Sequence, residues 1–184
     1  MHCGRWSIAL PRSIRMSAWY LGLALVAFAS GVRSDDLPEY RLKAAFLYNF
    51  ALFTEWPADI GSTLNLCVYG RDPFGQEIDA LQGKPVGDRR MVVRRITKLE
   101  GLTACQIVFI AQTSGDGIAR VLSSLHGAAV LTVADAPGAA AQGVALNMSV
   151  VENKITFEAN LTAARAANIK LSSKLLSLAT EVLQ

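Results

Sequence analysis

The sequence predicts an α/β fold in a single domain, a sandwich in which helices cover both faces of a mixed, mostly parallel sheet. Short apolar runs typical of buried strands alternate with segments of helical periodicity, as they do in consecutive βα units. Near the C-terminus this alternation ends, and two extended runs flank Glu152 and Asn153 in a pattern typical of a tight hairpin. The predicted fold therefore closes with a C-terminal antiparallel hairpin.

The N-terminus has the composition of a secretory signal peptide. Residues 1–17 contain three arginines and no acidic residue, and the charge-free run AWYLGLALVAFA follows. A basic segment, a short apolar run and a final A-F-A motif are typical of a cleaved leader, and a membrane span needs a longer run of roughly 20 residues. We expect a signal peptide at residues 1–29, with cleavage after Ser34 or an uncleaved anchor as the alternatives.

Without this leader the chain is close to neutral. The full chain has 18 Lys+Arg and 15 Asp+Glu, and three of the arginines lie in the leader. A neutral domain has no electrostatic reason to bind nucleic acid. The remaining length of about 150 residues is typical of one domain with its own core, which we place at residues 38–184.

The first half of the domain predicts a helix, a βα unit and two further strands. Apolar residues at helical spacing over 42–53 predict an amphipathic helix that ends before Pro57. The apolar run at 64–69 predicts a strand, and Asp72 followed by a proline predicts a capped helix as far as Leu81. The segments RRMVVRRI and QIVFIA predict the two further strands.

The second half continues with a helix, a strand, the hairpin and a helical tail. The segment GDGIARVLSSLHG predicts a helix that ends at Gly127, and AAVLTVAD predicts another buried strand. Residues 136–142 predict a loop. After the hairpin, LTAARAANIKLSSKLLSLATEVL predicts two helical pieces that are broken around residues 168–171, with Ser172 as the cap of the second piece.

No motif of the sequence predicts an enzyme. The turn after the strand at 64–69 has one glycine where a dinucleotide fingerprint has three, and neither G-x-S-x-G nor H-E-x-x-H is present. His126 is the single histidine after the leader, and its place at a predicted helix end is typical of a solvated capping residue. The sequence therefore predicts no catalytic residue, no cofactor and no metal site.

Two cysteines remain after the leader. Cys67 and Cys105 lie in runs that predict short buried strands, and an oxidising compartment favours their pairing. A disulfide between them closes a loop of about 38 residues and should contribute about 3 to 4 kcal/mol to stability. Two free, buried thiols are the alternative interpretation.

The junction of the last strand with the tail is the candidate ligand site, because small molecules often bind where strand and helix ends converge. The residues that we propose for this site are Trp56, Glu158, Asn160, Lys170 and Ser172. The alternative interpretation is local: Asn160 caps the helix that follows it, and the charged residues lie at the surface.

A partner-binding surface is the second candidate site. The arginine-rich strand RRMVVRRI is either an edge strand whose charges prevent aggregation or a contact for an acidic partner or anionic headgroups. We expect a partner to contact Arg94 and Arg95 at the rim of a surface formed by Leu171, Leu175 and Leu176, provided that part of this apolar tail is exposed.

Four separated blocks of the sequence resemble the YfiR-like family of periplasmic proteins. They are KAAFLYNFALFTEWP, LCVYGRDPFG, CQIVFIA and ITFEANLTAARAANIKLSSKLLSLA, in this order, and the resemblance runs from about Tyr40 to the C-terminus. The resemblance implies an α/β sandwich, commonly dimeric and without catalytic activity. It also implies a family disulfide between Cys67 and Cys105.

The same resemblance implies a function and partners. In this family a periplasmic repressor binds the periplasmic sensor domain of an inner-membrane diguanylate cyclase, and an outer-membrane lipoprotein relieves the repression. We therefore expect a periplasmic regulator that represses an inner-membrane signalling protein. The alternative function is that of a periplasmic small-molecule binding protein.

Overall fold

The computed structural model describes residues 36–184 apart from residues 59, 113, 114 and 116. The predicted signal peptide at residues 1–29, with its alternative cleavage site, lies outside the described residues. The described residues belong to one compact unit of the chain.

The chain alternates short helices and strands. The helices are α1 (Asp36–Leu52), α2 (Gln76–Asp79), α3 (Gly117–Ser124), α4 (Leu161–Ala166) and α5 (Ser173–Leu176), with a 3₁₀ helix at Leu99–Ala104. The strands are β1 (Thr54–Glu55), β2 (Thr63–Tyr69), β3 (Pro85–Val86), β4 (Arg89–Ile96), β5 (Ile107–Ile110), β6 (Leu131–Ala134), β7 (Leu146–Val151), β8 (Lys154–Asn160), β9 (Lys170–Leu171) and β10 (Glu181–Leu183).

Among the described residues, eight strands form one sheet in the order β10-β8-β7-β6-β5-β2-β4-β3, and β1 pairs with β9 in a small antiparallel sheet. Strands β4, β2, β5, β6 and β7 are parallel to one another. Strands β7 and β8 form an antiparallel hairpin through Glu152 and Asn153, whose φ angles are 49° and 60°. The prediction of a mixed, mostly parallel sheet with a C-terminal hairpin is confirmed.

Helices cover both faces of this sheet, as predicted. On one face, α1, α2, α4 and α5 pack on a cluster in which Phe50 contacts Phe157 with ring centroids 5.0 Å apart, and Phe74 contacts Phe109 at 4.8 Å. On the other face, α3 and the 3₁₀ helix pack on a second cluster that includes Val121. Burial of these apolar side chains, at roughly 25 cal/mol per Å², is the main force that holds the layers together.

The prediction of a helix capped by Asp72 is wrong, because the helix begins about one helical turn later, at Gln76. The Asp72 carboxylate accepts the N–H of Phe74 at 2.7 Å, which stabilises a turn at this point. Helix α2 then begins after Gly75, whose φ of 55° belongs to the left-handed region that favours glycine. The Asp72 carboxylate therefore stabilises a turn through Phe74 instead of capping a helix.

The prediction of a helical C-terminus is also wrong in part. The chain breaks around residues 168–171 as expected, with Asn168 at a φ of 53°, but the second helical piece ends at Leu176. The last residues form β10, which pairs in parallel with β8, and the N–H of Thr180 donates to the carbonyl of Phe157 at 2.9 Å. The open edge of β8 offers hydrogen bonds that helical periodicity in the tail does not anticipate.

Candidate functional site

Cys67 in β2 and Cys105 just before β5 form a disulfide, as the sequence predicts. Their Cα atoms are 6.0 Å apart, and both residues are buried. The pairing of β2 with β5 brings the two cysteines together. While this bond is intact neither sulfur is a thiolate, so neither can act as a nucleophile.

Two of the five predicted ligand residues cap helices. The side-chain oxygen of Asn160 accepts the N–H of Ala163 at 2.8 Å, and its amide nitrogen donates to the carbonyl of Ala140 at 2.8 Å. The hydroxyl of Ser172 accepts the N–H of Leu175 at 3.2 Å. Both side chains thereby satisfy backbone groups that a helix leaves unpaired at its start.

The other three predicted ligand residues are also engaged locally. Trp56 donates its indole N–H to a carbonyl of α1 at 3.0 Å. Glu158 accepts a hydrogen bond from the side chain of Asn147 at 3.2 Å, and Lys170 forms an exposed ion pair with Glu55 at 2.7 Å. Asn160 lines the cavity between α3 and α4 and Lys170 lines the groove beside α4, and neither cavity is lined by a second member of the five.

An open groove of about 410 Å³ lies between α4, β9 and α5. The residues that line it are Leu161, Arg165, Asn168, Ile169, Lys170, Leu171 and Leu176. Its floor is apolar, whereas Arg165 and Lys170 are exposed at its rim. The groove therefore offers an apolar contact bordered by positive charge, and we call it the tail groove.

A smaller cavity of about 250 Å³ lies between α3 and α4. Most of its lining is apolar, and its polar side chains are His126, Thr132, Asn160 and Thr162. Two of these side chains already form hydrogen bonds within the protein: the Thr132 hydroxyl accepts the N–H of Ala145 at 2.9 Å, and Asn160 caps α4.

The predicted partner surface needs two corrections. Leu175 is only 2% exposed and does not line the tail groove. Leu171 is 6% exposed and contributes only to the floor of the groove, whereas Leu176 lines it partly exposed. Arg94 and Arg95 lie in β4, five strand positions away from β8, which leads into the tail. At about 4.8 Å per strand this separation is roughly 24 Å, so the arginines do not border the tail.

Arg95 instead joins two carboxylates and a carbonyl beside α2. Its Nε and Nη1 atoms lie 2.7 Å from Asp72 and 2.7 Å from Asp79, and Nη2 donates to the carbonyl of Gly75 at 2.8 Å. Hydrogen bonds to Asp79 and Asp72 raise the pKa of Arg95. The hydrogen bond from Arg95 lowers the pKa of Asp79.

Sequence reasoning missed a buried charged cluster at the carboxyl end of β6, which we call the lysine cluster. Lys43 and Asp135 are 3% and 7% exposed, and their side chains meet at 2.6 Å. Glu39 lies 2.5 Å from the same Nζ atom, and the Tyr40 hydroxyl donates to Asp135 at 3.2 Å. Gln112 donates to the Asp135 carbonyl at 2.6 Å.

Two signals in the sequence point to this cluster. Glu39 precedes Lys43 by one helical turn, and an aspartate directly follows a buried strand. No local pattern connects them, because Lys43 and Asp135 are 92 residues apart. The lysine is enclosed by two carboxylates and the ring of Tyr40, 4.5 Å from Nζ, so its charge is already satisfied. The arrangement attaches α1 to the sheet.

Within the described part of the chain, no three His, Cys, Asp or Glu residues are placed to hold a metal ion. Across those same residues, no helix has the length and apolar character required to cross a membrane.

Comparison with known proteins identifies one family. The family model described as YfiR/HmsC-like matches residues 40–180. No curated protein matches the chain.

Two solved structures match the chain. A conserved domain protein from Vibrio cholerae O1 biovar El Tor is 11% identical with a TM-score of 0.50, and the match covers 78% of this chain and 60% of that one. The ABC domain in complex with L-Trp from Streptococcus pneumonia is 10% identical with a TM-score of 0.49, covering 65% of this chain and 55% of that one. This chain therefore spans less than two thirds of either structure, and at this identity the first likeness concerns the fold alone.

Proposed function

This chain belongs to the YfiR/HmsC-like family, and on that premise we propose that it is a periplasmic regulator that represses an inner-membrane diguanylate cyclase. The observation that carries the proposal is the family match over residues 40–180, which spans nearly all of the described domain. The diguanylate cyclase and its periplasmic sensor domain come from the family resemblance, because a fold alone does not specify a function.

The proposed mechanism is a shift of population in the partner. A bound regulator holds the sensor domain inactive only if it binds the resting conformation more tightly than the active one. A preference of about 5.5 kcal/mol moves a two-state equilibrium from 1:99 to 99:1. The regulator needs no chemistry of its own, and the proposal assigns it no catalytic activity.

The tail groove is the contact surface that we propose for this partner. Its apolar floor supplies the desolvated centre that a stable contact needs, and the exposed Arg165 and Lys170 supply a polar rim. Of the leucines expected at the partner surface, Leu171 and Leu176 line this groove, whereas the fold buries Leu175 away from it.

Secretion and further partners complete the proposal. A leader at residues 1–29 carries the domain to the periplasm, where the Cys67–Cys105 disulfide is stable. An outer-membrane lipoprotein captures the regulator and releases the cyclase, and the regulator forms a homodimer, as the family resemblance implies. Sedimentation of the mature protein measures the dimer directly.

Gene deletion tests the function. Loss of the gene should raise cellular cyclic di-GMP and biofilm, and expression of the full chain should restore the original level. A chain without residues 1–29 should not restore it, because it stays on the wrong side of the membrane. Unchanged cyclic di-GMP, together with no membrane cyclase recovered by cross-linking, contradicts the cyclase as the partner.

A pair of matched variants tests the contact surface separately. Arg165→Glu reverses a charge at the rim of the tail groove, and Lys154→Glu reverses an exposed charge at the far end of β8. We expect Arg165→Glu to keep the fold, measured by circular dichroism, and to lose repression, whereas Lys154→Glu retains both. Full repression by Arg165→Glu would remove the groove from the proposal but leave the regulator.

One observation favours a second function, the binding of a small molecule. The cavity between α3 and α4 has an apolar lining and a few polar groups, although its 250 Å³ is at the small end for ligand pockets. A ligand present at 100 times its Kd stabilises a protein by about 2.7 kcal/mol. A thermal-shift screen against periplasmic metabolites should then find a stabilising compound, and a screen without any shift contradicts this function.

A further inference from the structure

The outer edge of β4 is open along part of its length. Strand β3 pairs with Arg89 and Arg90, whereas β4 continues to Ile96. In a strand, the backbone groups of successive residues point alternately to the two neighbouring strands. Those of Arg90 and Ile96 point towards β2, because Arg90 donates to Ser62 at 3.1 Å and Ile96 accepts from Gly70 at 3.2 Å.

The residues between them therefore point their backbone groups outward. Met91 does so, exchanging hydrogen bonds of 2.9 and 2.8 Å with the turn before β3. The N–H of Val93 donates to the side-chain oxygen of Gln82 at 2.9 Å. In the part of the chain that the structure describes, the carbonyl of Val93 and the backbone groups of Arg95 meet no backbone partner. Such a row is a template for one more strand.

Two cations flank this row on one face of β4. Arg90 and Arg94 share a face because side chains alternate along a strand, and both are exposed. Arg94 donates to the carboxamide of Asn65 at 3.1 Å, and Arg90 donates to the carbonyl of Gly83 at 3.2 Å. Among the described residues neither arginine is paired with a carboxylate, in contrast to Arg95. Their charges are available to an anionic group.

These two observations together select the occupant. A second copy that paired through the same edge would place arginines opposite arginines, which destabilises a strand pair. An anionic headgroup would meet the arginines but leave the backbone row unpaired. An extended segment with acidic side chains satisfies both the backbone row and the charges.

We propose that the outer edge of β4, from Val93 to Arg95, binds an extended acidic segment of another protein by strand addition. Carboxylates of that segment contact Arg90 and Arg94, and its backbone continues the line of β3. The Gln82 side chain leaves the N–H of Val93 when the segment binds. This inference rests on β4 alone and does not depend on which partner occupies the tail groove.

Fluorescence anisotropy with a labelled hexapeptide, Glu-Val-Glu-Val-Glu-Val, and the mature protein tests this inference. We expect saturable binding that Arg94→Glu weakens about tenfold, because a contact with a carboxylate becomes a repulsion. Lys154→Glu reverses an exposed cation at the start of β8, outside β4 and outside the tail groove, and should leave the affinity unchanged. Gln82→Ala should tighten binding, because the N–H of Val93 no longer has a competing partner.

A second peptide separates strand addition from charge attraction. The same hexapeptide with every backbone amide N-methylated keeps its charges but has no N–H group to donate to the carbonyls of β4, so we expect it to lose binding. The inference is overturned if the methylated peptide binds equally well, or if Lys154→Glu weakens binding as much as Arg94→Glu does. The absence of saturable binding also overturns it. Two other results would also overturn it. The first is that the protein binds vesicles of anionic phosphatidylglycerol more tightly than the peptide and that Arg94→Glu abolishes this vesicle binding. The second is that the protein forms a dimer that Arg94→Glu dissociates.

Discussion

The lysine cluster and the β4 edge contain the same kinds of charged side chain in opposite surroundings. The side chain of Lys43 is 4% exposed and lies between two carboxylates, whereas the side chain of Arg95 is 43% exposed and also bonds two carboxylates. Water screens the contacts of Arg95, whereas the Lys43 and Asp135 side chains, 4% and 2% exposed, are largely shielded from it. The comparison teaches that burial decides how much an ion pair contributes to stability.

The largest expected effect on stability comes from removing one partner of the buried Lys43–Asp135 ion pair. Asp135→Ala leaves the ammonium of Lys43 in the interior with only the more exposed Glu39. Removing one partner of a buried pair destabilises a protein by about 3–5 kcal/mol. Urea unfolding of the mature domain should therefore show a loss of this size.

A double variant is the control for that measurement. Lys43→Met combined with Asp135→Leu removes both charges and should recover most of the lost stability, because apolar replacements of a buried pair are often neutral. If Asp135→Ala lowers the free energy of unfolding by less than about 1 kcal/mol, the cluster behaves like a surface pair and the contrast with β4 fails.

The disulfide provides a covalent contribution to stability with which the buried ion pair and the exposed one can be compared. Replacing both Cys67 and Cys105 by alanine should lower the free energy of unfolding by about 3 to 4 kcal/mol, because a loop of 38 residues is no longer closed in the unfolded chain. The loss should not depend on salt, unlike any loss at the β4 edge. Thiol labelling of the unfolded wild-type protein is the control: two reactive thiols would show that the disulfide is absent.

The sequence predicts well what local chemistry decides. The apolar runs give β2, β5 and β6, and the Asn160 and Ser172 caps lie where their side chains can serve the next turn. The sequence is a poorer guide to contacts between segments that lie far apart along the chain. β10 forms because β8 has an open edge, and the lysine cluster joins residues 92 positions apart. The alternation in RRMVVRRI shows a strand but not which of its arginines finds carboxylates.

Asn160 lies between the two extremes in exposure, and its replacement should have an intermediate effect. Asn160→Ala removes the acceptor for the N–H of Ala163 and the donor to Ala140. Loss of such a cap destabilises a protein by about 1 kcal/mol. Asn160→Asp keeps the capping oxygen and should recover part of that loss, as thermal or urea unfolding will measure. An unchanged stability in Asn160→Ala would contradict the capping role of this side chain.

The smallest effect is expected on the exposed side, where the pKa of Asp79 reports the contact with Arg95. The hydrogen bond from Arg95 lowers this pKa below its ordinary value of 3.8, so the folded state binds a proton less readily than the unfolded chain. Its contribution to stability is therefore present above pH 3.8 and is lost as the pH falls through the lower folded pKa. Arg95→Met should return the pKa of Asp79 towards 3.8 and remove this acid dependence, as an NMR titration of the carboxyl carbon will show. Arg94 donates to Asn65 rather than to a carboxylate, so Arg94→Met should leave that titration unchanged. Equal shifts in both variants would mean that the general positive charge of β4, rather than the hydrogen bond from Arg95, sets the pKa.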